Sequence, residues 1–167
     1  TVVAVLSCRS RIEAIAAVDI PVMGHVGLTP QSVHRMGGHR VQGRRHGHGP
    51  GGRERVLEDA KAVEAAGAFA VVLECIPLDL AGEITATLAI PTIGIGAGAH
   101  CDGQVLVLHD LIGLSDAWTP RFAKRYAEVG REVVRAAEAY VQEVKAGTFP
   151  TEAQAFTPVK PAAAGGA

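Results

Sequence analysis

The stretch of sequence that decides the fold is residues 70–77, Ala-Val-Val-Leu-Glu-Cys-Ile-Pro. Its first four residues are apolar with no alternating polar position, which predicts a strand covered on both faces, as in a parallel sheet wrapped by helices. The run stops at Glu74, and Pro77 then turns the chain away. Parallel α/β folds gather their chemistry at the carboxyl ends of strands, so Glu74 is the first candidate for a functional residue.

The composition limits the class of protein. The 167 residues are enough for one domain with a core, and 48% of them are hydrophobic. The net charge of −1 gives no case for nucleic acid binding. The three cysteines show no CxxC spacing, which favours a reducing compartment over a disulfide framework. With no signal segment and no apolar run long enough for a bilayer span, we expect a cytoplasmic protein.

Several strand and helix units follow one another along the chain. We predict strands over residues 21–25, 69–74, 91–95 and 104–108, and helices over residues 54–66 and 80–88, with the end of an earlier helix over residues 12–18. Such units imply parallel strands with right-handed crossovers. Their spacing fits a (β/α)₈ barrel, which needs roughly 250 residues. With about four units visible, the α/β chain forms either an open doubly wound sheet or the C-terminal half of a barrel.

A long helix is predicted near the C-terminus. Thr119 suits the N-cap, Pro120 suits the first helical position, and Gly147 followed by Pro150 suits the end. Residues 157–167 are mostly proline, alanine and glycine with little to bury, which predicts a disordered tail after a domain of residues 1–156.

Residues 44–53, Arg-Arg-His-Gly-His-Gly-Pro-Gly-Gly-Arg, differ in composition from their surroundings. They are compatible with a basic binding loop or with a His-Gly-His metal clip. Two histidines two residues apart, with no carboxylate or cysteine beside them, are weak evidence for a metal. We therefore favour the third interpretation, a flexible insertion with no fixed shape.

Four motifs along the chain give the sequence a resemblance to the ketopantoate hydroxymethyltransferase family. The motifs that carry the resemblance are residues 24–32 (Gly-His-Val-Gly-Leu-Thr-Pro-Gln-Ser), 37–43 (Gly-Gly-His-Arg-Val-Gln-Gly), 73–77 (Leu-Glu-Cys-Ile-Pro) and 93–98 (Ile-Gly-Ile-Gly-Ala-Gly). The similarity continues through residues 102–110 and 120–124. It covers about residues 12–156, apart from the loop at 44–53.

The resemblance implies a (β/α)₈ TIM barrel that assembles into a homo-decamer. It also implies transfer of a hydroxymethyl group from 5,10-methylenetetrahydrofolate to 3-methyl-2-oxobutanoate, with Mg²⁺ polarising the ketoacid. By its place in the motif, Glu74 corresponds to the catalytic base that removes the proton from carbon 3, and His25 corresponds to a substrate-binding histidine. The family's metal ligands belong to its first four strands, so no metal ligand is assigned in this sequence.

Residues 1–11 and 44–53 depart from the family pattern, and the first four strands have no counterpart here. We therefore expect no measurable transferase activity from this chain alone. An alternative is a non-catalytic barrel fragment that folds only with a complementary N-terminal half, because an open half-barrel exposes unpaired strand edges.

Each candidate residue also has a structural interpretation. Glu74 could cap a helix or pair with an arginine, and His25 could be an ordinary hydrogen-bonded histidine. Gly94, Gly96 and Gly98 could cradle a phosphate, but the ketoacid has none, so we favour close packing at the barrel rim. For Cys75 we favour a buried structural thiol over a nucleophile, because no basic residue adjoins it.

Overall fold

The structure is a computed structural model that describes residues 9–115 and 118–156. The described residues divide into two compact units. The first contains residues 9–107 and 120–124, and the second contains residues 108–115, 118–119 and 125–156. The predicted disordered tail, residues 157–167, lies outside the described residues.

The first unit is built on a parallel sheet. Its strands are β1 (Met23–Gly27), β2 (Ala70–Glu74), β3 (Thr92–Ile95) and β4 (Gly103–Gln104), in the order β1-β2-β3-β4. Each strand pairs in parallel with the next one along the chain. The α/β class with four parallel strands is thus confirmed, and this order is consistent with part of a TIM barrel.

Three helices belong to the same unit: α1 (Arg9–Ala16), α2 (Arg53–Ala65) and α3 (Leu78–Thr87). The predictions for residues 54–66 and 80–88 are confirmed with small shifts at the ends. Past the end of α2, Gly67 has a φ of +91°, a conformation that glycine adopts without cost. A 3₁₀ turn at Pro30–Ser32 follows β1.

The core lies between the helices and one face of the sheet. Val71 and Leu73 of β2 are fully buried in it, whereas Val72 and Glu74, which alternate with them, are only partly buried. The strand is thus fully covered on one face and partly covered on the other, where Ala70 is also buried. The buried cluster also contains residues of each helix and of β1, namely Ile12, Val26, Val56, Ala60, Val63, Leu80, Ala81 and Ile84.

The fourth predicted strand is much shorter than expected. Residues 104–108 are apolar enough for a strand, but β4 ends at Gln104, with one further backbone bond from the Val105 N–H to the Gly94 carbonyl at 3.0 Å. The chain then leaves the sheet, and a short helix α4 (Leu108–Leu111) begins the second unit.

The second unit is dominated by helix α5 (Val129–Ala146). The predicted start at Pro120 is wrong, because residues 120–128 are not helical. The Tyr126 N–H donates to the Leu111 carbonyl at 2.8 Å and the Val129 N–H to the Ile112 carbonyl at 2.9 Å, so these amides bond to the end of α4 and the residue after it. The predicted end is confirmed, since Gly147 caps α5 with a φ of +70°.

A second 3₁₀ turn, Glu152–Gln154, follows α5. None of the helices in the described part of the chain is both long enough and apolar enough to cross a membrane.

Candidate functional site

The two residues predicted to act on substrate lie side by side. Gly27 of β1 is opposite Glu74 of β2, so His25, two residues earlier, projects from the same face of the sheet. Its Nε2 atom is 2.9 Å from Glu74 Oε2, and the two side chains are 12% and 17% exposed. His25 was predicted to end its strand, but β1 continues to Gly27, so His25 is the middle residue of the strand.

These two side chains lie within ion-pair distance but do not form a well-aligned hydrogen bond. The His25 Nε2 atom is buried and has no hydrogen-bond partner among the described residues, although the Glu74 carboxylate lies within ion-pair distance. A protonated ring would form an ion pair with Glu74. The ring nitrogen also keeps its hydrogen-bonding capacity for a ligand that enters this face of the sheet.

The backbone around Glu74 is held from both neighbouring strands. The Leu28 N–H donates to the Glu74 carbonyl, and the Cys75 N–H donates to the Ile95 carbonyl, each at 2.9 Å. Gly27 has a φ of +95°, and a Cβ at this position would lie 2.1 Å from the Glu74 carbonyl oxygen. Only glycine therefore lets the end of β1 approach the end of β2 so closely.

A large cavity lies beyond the strand ends. Its volume is about 1290 Å³, and it is lined by parts of segments 41–53, 75–79 and 96–104 together with Arg121 and Phe122. Cys75 and Ile76, which directly follow Glu74, belong to its wall, whereas His25 and Glu74 do not. The site therefore has two adjoining parts, an acid–imidazole pair on the sheet and an open cavity past its edge.

The glycines after β3 pack closely, as predicted, whereas Cys75 was predicted to be buried and is only partly so, in the wall of the cavity. Burial, with a smaller effect of the neighbouring Glu74 charge, raises the pKa of the Cys75 thiol, which disfavours the nucleophilic thiolate. A Cβ on Gly98 would lie 2.2 Å from Leu78, and one on Gly96 would lie 2.8 Å from the Phe122 ring. These glycines permit close packing at the cavity wall.

The loop at residues 44–53 has a defined shape, so the prediction of an insertion without one is wrong. The Arg53 N–H donates to the Arg45 carbonyl at 2.8 Å, which closes the loop. The Glu54 carboxylate accepts the Gly47 N–H, and its other oxygen is 2.8 Å from His46 Nδ1. The Gly47 amide, followed by His46, lowers the pKa of Glu54 to about 2.

The histidines of this loop are engaged by carboxylates. His46 pairs with Glu54, and His48 Nδ1 lies 2.6 Å from Glu58 Oε1. In residues 9–115 and 118–156, no group of three or more His, Cys, Asp or Glu side chains is arranged to hold a metal ion. The structure therefore gives no support to the metal-clip interpretation.

Sequence reasoning missed the cavity and the arginines that line it. Arg44 was noticed only as part of a basic run, and Arg121 with Phe122 was assigned to a helix. Their approach to the cavity depends on how the loop closes and on the non-helical path after Pro120, for which the sequence carries no periodic signal.

Comparison with known proteins gives consistent matches. A protein-family model described as ketopantoate hydroxymethyltransferase matches residues 4–152. A 3-methyl-2-oxobutanoate hydroxymethyltransferase of Trichlorobacter lovleyi is 62% identical over 146 residues, which are 87% of this chain and 53% of that protein. The proteins of the same name from Pelobacter propionicus and Geobacter sulfurreducens are each 59% identical, over 87% of this chain and 52% and 53% of their own lengths. The chain thus spans about half the length of the curated relatives it matches.

Proposed function

The chain belongs to the ketopantoate hydroxymethyltransferase family, and from this premise we propose that it takes part in hydroxymethyl transfer from 5,10-methylenetetrahydrofolate to 3-methyl-2-oxobutanoate. The product is 2-dehydropantoate, on the route to pantothenate. The observation that carries the proposal is the placement of His25 and Glu74, 2.9 Å apart on one face of the parallel sheet near the carboxyl ends of its strands.

Glu74 is the base in this proposal. Its carboxylate takes the proton from carbon 3 of the ketoacid, and the resulting enolate forms the new carbon–carbon bond to the one-carbon unit. Overall, one water supplies the oxygen of the new hydroxyl group, and tetrahydrofolate leaves. A general base positioned in this way contributes about 10²- to 10⁴-fold to the rate.

His25 binds the ketoacid. Its buried Nε2 atom lacks a hydrogen-bond partner within the described ranges and is next to the base. A donor at this position can hydrogen-bond the keto oxygen, where negative charge develops as the proton leaves carbon 3. The ring therefore both orients the ketoacid and stabilises the enolate.

Mg²⁺ and the folate co-substrate are part of the proposal because of the family resemblance. A bound Mg²⁺ would supply charge stabilisation for the enolate. The described residues do not fit a complete metal site, since no three candidate ligands converge among them, and no step is assigned to the ion. Assembly into a homo-oligomer and a cytoplasmic location stay predictions.

Deuterium exchange tests the proposal, because it isolates removal of the carbon 3 proton from the later transfer. We expect the 167-residue chain to accelerate exchange at carbon 3 of 3-methyl-2-oxobutanoate in D₂O, followed by proton NMR. Glu74→Gln should lower this rate by about 10²-fold or more, because the amide cannot accept the proton. His25→Ala should weaken ketoacid binding.

Glu58→Gln is the matched control, since Glu58 pairs with His48 in the separate loop region. Equal exchange by wild type and Glu74→Gln would contradict the role of the base. The same samples with methylenetetrahydrofolate test the separate prediction that this chain alone completes no measurable transfer.

A further inference from the structure

The loop at residues 44–53 is fastened to helix α2 by two side-chain pairs of the same kind. His46 Nδ1 lies 2.8 Å from Glu54 Oε1, and His48 Nδ1 lies 2.6 Å from Glu58 Oε1. Glu54 and Glu58 are four residues apart in α2, so their carboxylates lie on one face of the helix. Two imidazoles of the loop thus meet two carboxylates that are one helical turn apart.

The strength of these pairs depends on protons. An imidazole changes its charge between about pH 5 and 8, whereas a carboxylate stays charged throughout that range. A protonated ring forms an ion pair with the carboxylate, and a neutral ring keeps at most a hydrogen bond. With 84% and 71% of their side-chain surfaces exposed, the rings of His46 and His48 exchange protons freely with solvent. Each attraction is therefore present at acidic pH and is lost as the pH rises through the histidine range.

The other charged groups near the rings do not replace these carboxylates. The remaining acidic side chains nearby are held in ion pairs with arginines, namely Asp79 and Glu83 with Arg53, and Asp59 with Arg55. Arg44 and Arg45 precede His46 in the loop. Lys61 follows one turn after Glu58 on α2. All three are positive, like a protonated ring, and offer it no attraction.

Two further contacts of the loop do not depend on a histidine proton. The Gly47 N–H donates to the Glu54 carboxylate, and the Arg53 N–H donates to the Arg45 carbonyl at 2.8 Å. Four of the ten residues in the loop are glycines, so the backbone between these points has other conformations available. Loss of the imidazole charges therefore loosens the loop without unfolding it.

We infer that the loop at residues 44–53 is a proton-dependent latch on the cavity wall, closed on α2 while His46 and His48 are charged and loosened when they lose their protons. Arg44 and His46 line the cavity, so loosening frees part of its wall and makes the shape of the cavity depend on pH. The family resemblance gives this loop no role, because residues 44–53 depart from the family pattern. The inference does not depend on the proposed hydroxymethyl transfer.

Hydrogen exchange followed by mass spectrometry tests the latch. Protection of the peptide that covers residues 44–53 is measured at about pH 5.5 and about pH 8, with labelling times scaled to the intrinsic exchange rate at each pH. An exposed ion pair shifts a local equilibrium about two- to fivefold, so wild type with its two pairs should lose about three- to tenfold in protection at the higher pH. The double variant His46→Gln/His48→Gln should show the same protection at both pH values, because glutamine does not titrate.

His34→Gln is the matched control, since His34 is an exposed histidine outside the loop, and this variant should keep the wild-type dependence on pH. Protection of β2 in the same samples verifies that each variant is folded. Equal loop protection of wild type at both pH values would overturn the inference. So would a fall in protection that persists undiminished in the double variant, because the titrating group would then lie elsewhere.

Salt provides a second measurement that needs no variant. At about 0.5 M NaCl exposed ion pairs are screened, so loop protection of wild type should fall at about pH 5.5 and change little at about pH 8. This result decides the matter if the loop of the double variant is unprotected at both pH values. Loop protection that is insensitive to salt at the lower pH would count against the latch.

Discussion

At the residue scale, one carboxylate organises the loop that carries Arg44. Glu54 stands in the first turn of α2 and accepts the Gly47 amide while contacting His46. These contacts draw the loop back onto the helix. Because Arg44 lines the cavity and lies two residues before His46, Glu54 acts on the cavity indirectly, by positioning this loop.

We predict that Glu54→Gln opens this loop. The neutral amide loses the charge that strengthens the contacts to Gly47 and His46, so hydrogen-exchange protection of the Gly47 amide should fall about tenfold. The folded pKa is depressed to about 2 from 4.5. The contribution to stability is therefore complete above pH 4.5 and is lost as the pH falls through 2.

Wild type should accordingly keep Gly47 protected at pH 3.5, measured as a protection factor by NMR. Glu58→Gln, which removes only the contact to His48, should leave Gly47 unchanged. Loss of protection in wild type already near pH 4.5 would refute the assignment.

At the element scale, helix α3 has one face buried against the core and another that lies at the cavity. Leu80, Ala81 and Ile84 are fully buried against the core, whereas Leu78 in the first turn lines the cavity and is half exposed. One short helix thus packs against the core on one face and lines the cavity at its first turn.

We predict that Leu80→Ala lowers the free energy of unfolding by about 2–4 kcal/mol, because it removes a fully buried side chain and leaves a cavity. Leu78→Ala should cost less than about 1 kcal/mol, since much of that side chain already meets solvent. Urea unfolding of the two variants measures the difference. Equal midpoints would show that the buried face of α3 does not carry the stability.

At the scale of the whole molecule, the two units differ in how they bury residues. The first unit contains the apolar core of sheet and helices. In the second unit, α5 has Gly130 as its buried residue, and its large apolar side chains, such as Tyr140 and Val144, are exposed. Local stability follows burial, so the units should open at different free energies.

We predict that the β2 amides exchange with solvent at least about 100-fold more slowly than those of α5. β2 is hydrogen-bonded to a strand on each side, whereas α5 relies mainly on bonds within one helix. Hydrogen-exchange mass spectrometry of the chain, read on peptides from each element, measures the contrast. Equal protection of both elements would be evidence that another surface covers α5.

Local sequence determined much of this protein. The first three sheet strands, helices α2 and α3, the end of α5 at Gly147 and the family all followed from apolar periodicity, turn residues and motifs, because these signals lie within a few neighbouring residues. Local sequence also indicated Glu74 as a candidate functional residue, because it is the last residue of an apolar strand.

Tertiary structure alone decided the remainder. Helix α5 begins at Val129 and not near Pro120, because the Tyr126 and Val129 amides donate to the carbonyls of residues 111 and 112. The loop at 44–53 is held closed in part because the Glu54 carboxylate accepts the Gly47 amide. The pairing of His25 with Glu74 comes from the register of two strands far apart in the chain. Each outcome depends on which distant group satisfies a backbone amide or meets a side chain, and such contacts leave no periodic trace in the sequence.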